Sequence, residues 1–181
     1  MFVIDSGLAL RVLRKDDAAE LFALTDANRA YLRRWLPWVD LVTSEEDSRS
    51  FLATVAAQRE DGRGPTFGIV QDGVLAGVVG YLPTDGINRV GELGYWLAER
   101  WQGRGVMTLC CRFVVRYGFL TLDLNRIQIT AGTDNLVSRR IPERLGFRFE
   151  GVLRARESLY GTFIDHAMYS MLRSEFDATD N

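Results

Sequence analysis

The chain has 181 residues, is 47% hydrophobic and carries a formal net charge of −2 at pH 7. That length suits one domain, residues 1–181, with a sizeable core. The weak net charge supplies no global field toward nucleic acid or an anionic membrane, and no run approaches the ~20 apolar residues of a membrane span.

Lys15 is the sole lysine, so nearly all cationic side chains are arginines. Codon bias accounts for this, and an arginine-lined groove for phosphate or an acidic partner is the functional alternative. The N-terminal Met-Phe-Val-Ile-Asp-Ser-Gly carries no signal-peptide pattern.

In chain order, Leu8 to Arg14 reads as a first strand. Asp16 is placed to cap a helix running to about Thr25, with Ala19, Phe22 and Ala23 on its inner face. Arg29 to Trp35 reads as a second short helix, broken at Pro37. Ser44-Glu-Glu-Asp47 has the pattern of a capping box and opens a helix to about Glu60, which Asp61-Gly-Arg-Gly-Pro65 ends. Thr66 to Gln71 and Val74 to Leu82 flank Asp72-Gly73, a tight-hairpin signal. Val90 to Leu97 is the next strand, and Gly105 to about Tyr117 a helix. The adjacent Cys110 and Cys111 fall inside that helix, where neighbours point about 100° apart and do not bridge readily. Buried free thiols in a reducing, cytoplasmic compartment are expected. Arg126 to Thr130 alternates as a strand, and Ser138 to Leu145 is a helical segment stopped by Gly146. Phe147 to Arg156 and Phe163 to Leu172 read as two closing strands. The order predicts a mixed α/β fold, one sheet with helices on its faces.

The most informative stretch is Glu99-Arg-Trp-Gln-Gly-Arg-Gly-Val-Met-Thr108, between a strand and an apolar helix. Glycines let the backbone approach a ligand, and the first N–H groups of a helix have no partner in the chain. The helix dipole favours an anion there. A phosphorylated cofactor is expected at this turn.

Four blocks in order carry a resemblance to a known family. Gly91-Glu-Leu-Gly-Tyr-Trp-Leu97 with Gln102-Gly-Arg-Gly-Val-Met107 resembles the acetyl-CoA site of the GCN5-related N-acetyltransferases (GNAT). Asn135-Leu-Val-Ser138, Glu143-Arg-Leu-Gly-Phe147 and Glu150-Gly151 match a second block of that superfamily. Tyr31 to Trp38 and Asp165 to Ser170 are similar to its RimJ/RimL branch of ribosomal-protein N-acetyltransferases. Met107 departs from the superfamily's Gly or Ala but suits that branch. The resemblance, spanning about residues 8 to 176, implies the GNAT fold: a mostly antiparallel sheet of six to seven strands with splayed central strands. It implies acetyl-CoA as cosubstrate and, as acceptor, a primary amine. That amine is the N-terminal α-amine of a ribosomal protein or a small amine such as an antibiotic, polyamine or aminoacyl-nucleotide. A non-catalytic acyl-CoA sensor is the third reading. Related proteins often form dimers.

The resemblance also implies site roles. Gln102, Gly103, Arg104, Gly105, Val106, Met107 and Thr108 would hold the coenzyme A diphosphate, and backbone groups of Tyr95, Trp96 and Leu97 the pantetheine arm. Ser138 would protonate the leaving thiolate, with Asn135 holding pantetheine or a water; both also suit a helix N-cap. Glu92 is the candidate base, since burial beside Tyr95 and Trp96 suits a carboxylate to proton uptake; the alternative is an ion pair with an arginine in the sheet. Tyr31, Trp35 and Trp38 would wall the acceptor groove. The lone His166 is expected to be structural, and no clustered ligands suggest a metal site. Pro142, four residues after Ser138, cannot donate to the Ser138 carbonyl.

Overall fold

The computed structural model describes residues 1–177. Eight strands are present: β1 Phe2–Asp5, β2 Leu8–Val12, β3 Thr66–Gln71, β4 Val74–Tyr81, β5 Val90–Leu97, β6 Arg126–Gly132, β7 Arg148–Leu159 and β8 Thr162–Leu172. They form one sheet in the order β1-β2-β3-β4-β5-β6-β8-β7. All neighbours are antiparallel except β5 and β6, which run parallel. The eight strands exceed the six to seven expected because β1 is added. It is an edge strand whose Phe2 and Val3 are exposed, so its sequence lacks the alternation of a half-buried strand.

Five α-helices complete the described chain: α1 Ala18–Ala27, α2 Arg29–Leu32, α3 Glu45–Glu60, α4 Val106–Leu120 and α5 Leu136–Arg144. Among them none is long and apolar enough to cross a membrane. The capping box of α3 forms as its sequence dictates: Asp47 N–H donates to Ser44 Oγ, and the Asp47 carboxylate accepts from Ser44 N–H at 2.8 Å. α1 differs from expectation. A 3₁₀ turn at Lys15–Asp17 precedes it, and Asp17 rather than Asp16 accepts the Arg14 N–H at 2.7 Å. Ala18, Leu21 and Thr25 are buried and Phe22 is half-buried, while Ala19 and Ala23, expected on the inner face, are exposed. Thr25 tolerates burial because its hydroxyl donates to the Leu21 carbonyl at 2.9 Å. α2 ends at Leu32, and Pro37 opens a 3₁₀ turn to Leu41.

The helices cover both faces of the sheet. Val106, Cys110, Val114 and Phe119 of α4 join Val79, Leu93, Ile127 and Tyr169 in the larger core. On the opposite face α1 and α3 place Leu21, Leu52 and Val55 against Leu75 and Val78 of β4. Cys110 and Cys111 are free and fully buried in the larger core.

The parallel seam places the site. β5 pairs with β6 only from Val90 to Glu92, opposite Arg126 to Gln128. Beyond Glu92, β5 stays with β4, up to Leu97 opposite Gly77. β6 instead stays with β8 along its whole length. The central strands therefore splay, and a gap opens at the C-terminal end of the seam beside the start of α4.

Candidate active site

The cradle is built by two glycines. Gly103 and Gly105 have φ of +73° and +79°, in the left-handed region, and a Cβ at either would meet only open space. Gly105 ends the turn as the N-cap of α4. The first intrahelical bond is Leu109 N–H to the Gly105 carbonyl, 3.1 Å, so the N–H groups of Val106, Met107 and Thr108 precede it and lack helical partners. A groove of about 360 Å³ runs along this turn. Gln102 to Thr108 line it, except Arg104, which stands outside with its guanidinium over the Trp101 ring. Arg140 and Arg144 of α5 add cations to the wall. Trp101 also lines the groove, and its indole Nε1 is buried with no partner among the described residues. Positive helix end, open glycine faces and arginines together fit a phosphorylated ligand.

Across the groove, Tyr95 of β5 meets Ser138 of α5. The Tyr95 hydroxyl donates to the Ser138 carbonyl at 3.1 Å, and Ser138 Oγ donates to Tyr95 Oη at 3.2 Å. Pro142 lies inside α5 and supplies no N–H to that carbonyl. Burial, with the Cys111 thiol close by, pushes the Tyr95 phenol well above its usual range. It is therefore a neutral hydroxyl at physiological pH. Asn135 is the N-cap of α5, its side-chain oxygen accepting the Ser138 N–H at 3.1 Å.

A second, larger cavity of about 790 Å³ adjoins the groove along β5. Tyr95, Trp96, Asn135 and Ser138 line both spaces, as do Trp35 and Leu36. Glu92 lines only the larger one. Its partner is not an arginine. Oε1 accepts from the Thr130 hydroxyl at 2.8 Å and Oε2 from Gln128 Nε2 at 3.2 Å. Both neutral donors come from β6 at the point where the seam opens.

The three aromatic side chains divide. Trp38 lines the larger cavity, its ring centroid 6.1 Å from that of Trp96. Trp35 lines both spaces. Tyr31 lines the cradle groove instead, where Gln102 Nε2 donates to its hydroxyl; Gln102 also reaches the Leu97 carbonyl at 3.3 Å.

Two residues in the larger cavity carried no clear signal in the sequence. Glu157 enters from β7 and the sole histidine, His166, from β8. Glu157 Oε2 stands 3.3 Å from His166 Nε2. Both imidazole nitrogens are buried without a hydrogen bond among the described residues, so His166 is not the satisfied structural residue expected. Register shifts within β7, between Phe149 and Gly151 and between Leu153 and Glu157, break the alternation that would have assigned Glu157 to a face. The hairpin tip is fixed to the segment after α2: the Tyr160 hydroxyl donates to the Leu36 carbonyl at 2.8 Å, and Arg33 stacks on the Tyr160 ring.

Comparison with known proteins agrees with this geometry. YdaF of Bacillus subtilis (strain 168) is 34% identical over 177 residues, covering 96% of each chain. The ribosomal-protein-serine acetyltransferase of Escherichia coli (strain K12) is 27% identical over 169 residues, covering 93% of this chain and 94% of that one. The solved structure of RimL, a ribosomal L7/L12 alpha-N-protein acetyltransferase in complex with coenzyme A, superposes with a TM-score of 0.89 at 28% identity, covering 94% and 97%. The model of the acetyltransferase (GNAT) domain matches residues 8–148. With its splayed seam and glycine cradle, the chain belongs to the GNAT acetyltransferase family, among relatives of the RimL type.

Proposed function

We propose that this protein transfers an acetyl group from acetyl-CoA to the N-terminal α-amine of a protein, in the first place a ribosomal protein. The observation that carries the reading is the meeting of two cavities at Tyr95, Trp96, Asn135 and Ser138 beside the open seam. One cavity offers a phosphate cradle and the other a carboxylate. The relatives that act on ribosomal proteins support the acceptor class.

Bound acetyl-CoA supplies an acetyl thioester. Val106, Met107 and Thr108 offer their N–H groups to its diphosphate, and the unpaired edge of β5 from Tyr95 to Leu97 offers backbone groups to its arm. An ammonium has no lone pair, so the acceptor must first lose a proton; Glu92, on the acceptor side, takes it up. An α-amine asks less of that base than a lysine would, with an ordinary pKa near ~8 against ~10.4. Ser138, paired with the neutral Tyr95 at the junction, hands its hydroxyl proton to the departing sulfur and regains one from the proton that the attacking nitrogen sheds as the amide forms. A ribosomal acceptor places this work in the cytoplasm.

Thiol release from acetyl-CoA, measured with N-terminal peptides of ribosomal proteins, tests the reading. Glu92→Gln and Ser138→Ala should each lower turnover by about 100-fold or more while calorimetry shows unchanged acetyl-CoA affinity. Absence of any heat on titrating acetyl-CoA into the wild-type protein would overturn it.

A further inference from the structure

We propose that the acceptor carries a large apolar group beside its amine. Resting on the α-amine reading above, this makes the first residue of the acceptor chain aromatic or branched aliphatic rather than small or polar. The argument is the division of the 790 Å³ cavity into two chemically different ends.

One end is polar and anionic. Glu92, Glu157, His166, Asn135 and Ser138 collect there, on β5, β7, β8 and α5. No arginine or lysine lines any part of the cavity. That end suits a protonated amine arriving from water.

The other end is apolar. Trp35, Trp38, Leu41, Phe51, Val55 and Val78 line it. Phe51 and Leu41 are 42% and 75% exposed, so a large apolar surface faces the cavity mouth uncovered. Several polar side chains at this end hydrogen-bond inside the protein. Gln58 Nε2 donates to the carbonyls of Arg63, Gly64 and Tyr81 at 2.7–3.2 Å. The hydroxyls of Thr25 and Thr54 donate to Leu21 and Ser50 carbonyls. The carboxylate of Asp47 accepts from the N–H and hydroxyl groups of both Thr43 and Ser44. A ligand group reaching this end therefore finds mainly apolar contact and aromatic faces, with the Asp47 carboxylate, bonded through Oδ2, the one acidic group there. A small side chain such as serine would leave the aromatic end unfilled.

The experiment is a set of hexapeptides identical except at their free N-terminal residue, Phe, Leu, Ala or Ser, with spermidine alongside, each assayed by thiol release from acetyl-CoA. The Phe and Leu peptides should exceed the Ala and Ser peptides in kcat/KM by about tenfold or more, the range a hydrophobic pocket supplies. In Phe51→Ser and Trp38→Ala that preference should shrink to about threefold or less, with acetyl-CoA affinity by calorimetry confirming that each variant is folded. Equal or faster acetylation of the Ser and Ala peptides overturns this inference and leaves the α-amine reading standing. Acetylation of spermidine with none of any peptide overturns both.

Discussion

The Tyr95 hydroxyl donates to the Ser138 carbonyl at 3.1 Å, and that carbonyl is the one Pro142 leaves without an intrahelical N–H. The proline thus creates an acceptor at the helix surface, and a residue 43 positions away in the chain fills it. The same phenol oxygen accepts a hydrogen bond from Ser138 Oγ at 3.2 Å, which fixes the serine at the junction of the two cavities. Tyr95→Phe should cost about 1–3 kcal/mol, the penalty for a buried polar group left unpaired. In a Pro142→Ala background the helix supplies its own donor, so the cost should shrink, with a coupling of about 0.5 kcal/mol or more. Urea unfolding of the four proteins measures this; identical costs in the two backgrounds would show that Pro142 leaves nothing for Tyr95 to satisfy.

Gly105 carries two demands at once: φ of +79° and an open face toward the groove. Gly105→Ala should therefore lose about 1–2 kcal/mol of stability to the left-handed backbone and weaken acetyl-CoA binding by about tenfold or more through its Cβ. Gly62, with φ of +70° and equal free space, sits in the loop after α3, far from the groove. Gly62→Ala should show similar strain with unchanged affinity. If calorimetry finds both variants binding like wild type, the turn does not hold the diphosphate.

Burial pushes the Cys110 thiol up to about 12 and the Cys111 thiol well above its usual value, the latter also through Cys110 beside it. Neither thiol supplies appreciable thiolate at neutral pH, and thiolate is the reactive form. Modification by a disulfide reagent at pH 8 should be about a hundredfold or more slower in the folded protein than in guanidinium. Fast labelling of the native protein would contradict the burial of both side chains.

Glu150 receives both terminal guanidinium nitrogens of Arg126, at 2.8 and 2.5 Å, and the Ser170 hydroxyl at 2.6 Å. The Arg126 bond foremost, then that of Ser170, holds its carboxyl down at about 2, below the ordinary carboxylate range. A depressed folded-state pKa contributes stability above the unfolded value, lost as pH falls through the folded one. Glu150→Gln should therefore lower Tm at neutral pH, and the gap to wild type should close between about pH 4.5 and pH 2. A gap that stays constant across that window would remove the ion pair from the acid response.

The cradle was legible in the sequence because its parts are neighbours. A strand, two glycines three and one positions before the helix, and the helix start lie within one short stretch, and positive φ at Gly103 and Gly105 is a local demand that glycine meets. The α3 capping box and the Asp72-Gly73 hairpin were legible for the same reason, each being closed by groups a few residues apart. Glu92 was proposed from its place on the strand and the family resemblance, but its partners could not be: Gln128 and Thr130 meet it because β6 lies parallel to β5 for three residues and then departs. The register of a seam between distant segments is set by the packing of both sheet faces, and no single stretch encodes it. Glu157 and His166 reach the larger cavity for the same reason, delivered by a hairpin that irregular pairing bends and that Tyr160 ties to Leu36. Sequence alone determined the local glycine turn at the start of α4 and the family that carries it. Tertiary structure decided which side of the splayed seam each side chain serves, because that depends on contacts between segments dozens of residues apart.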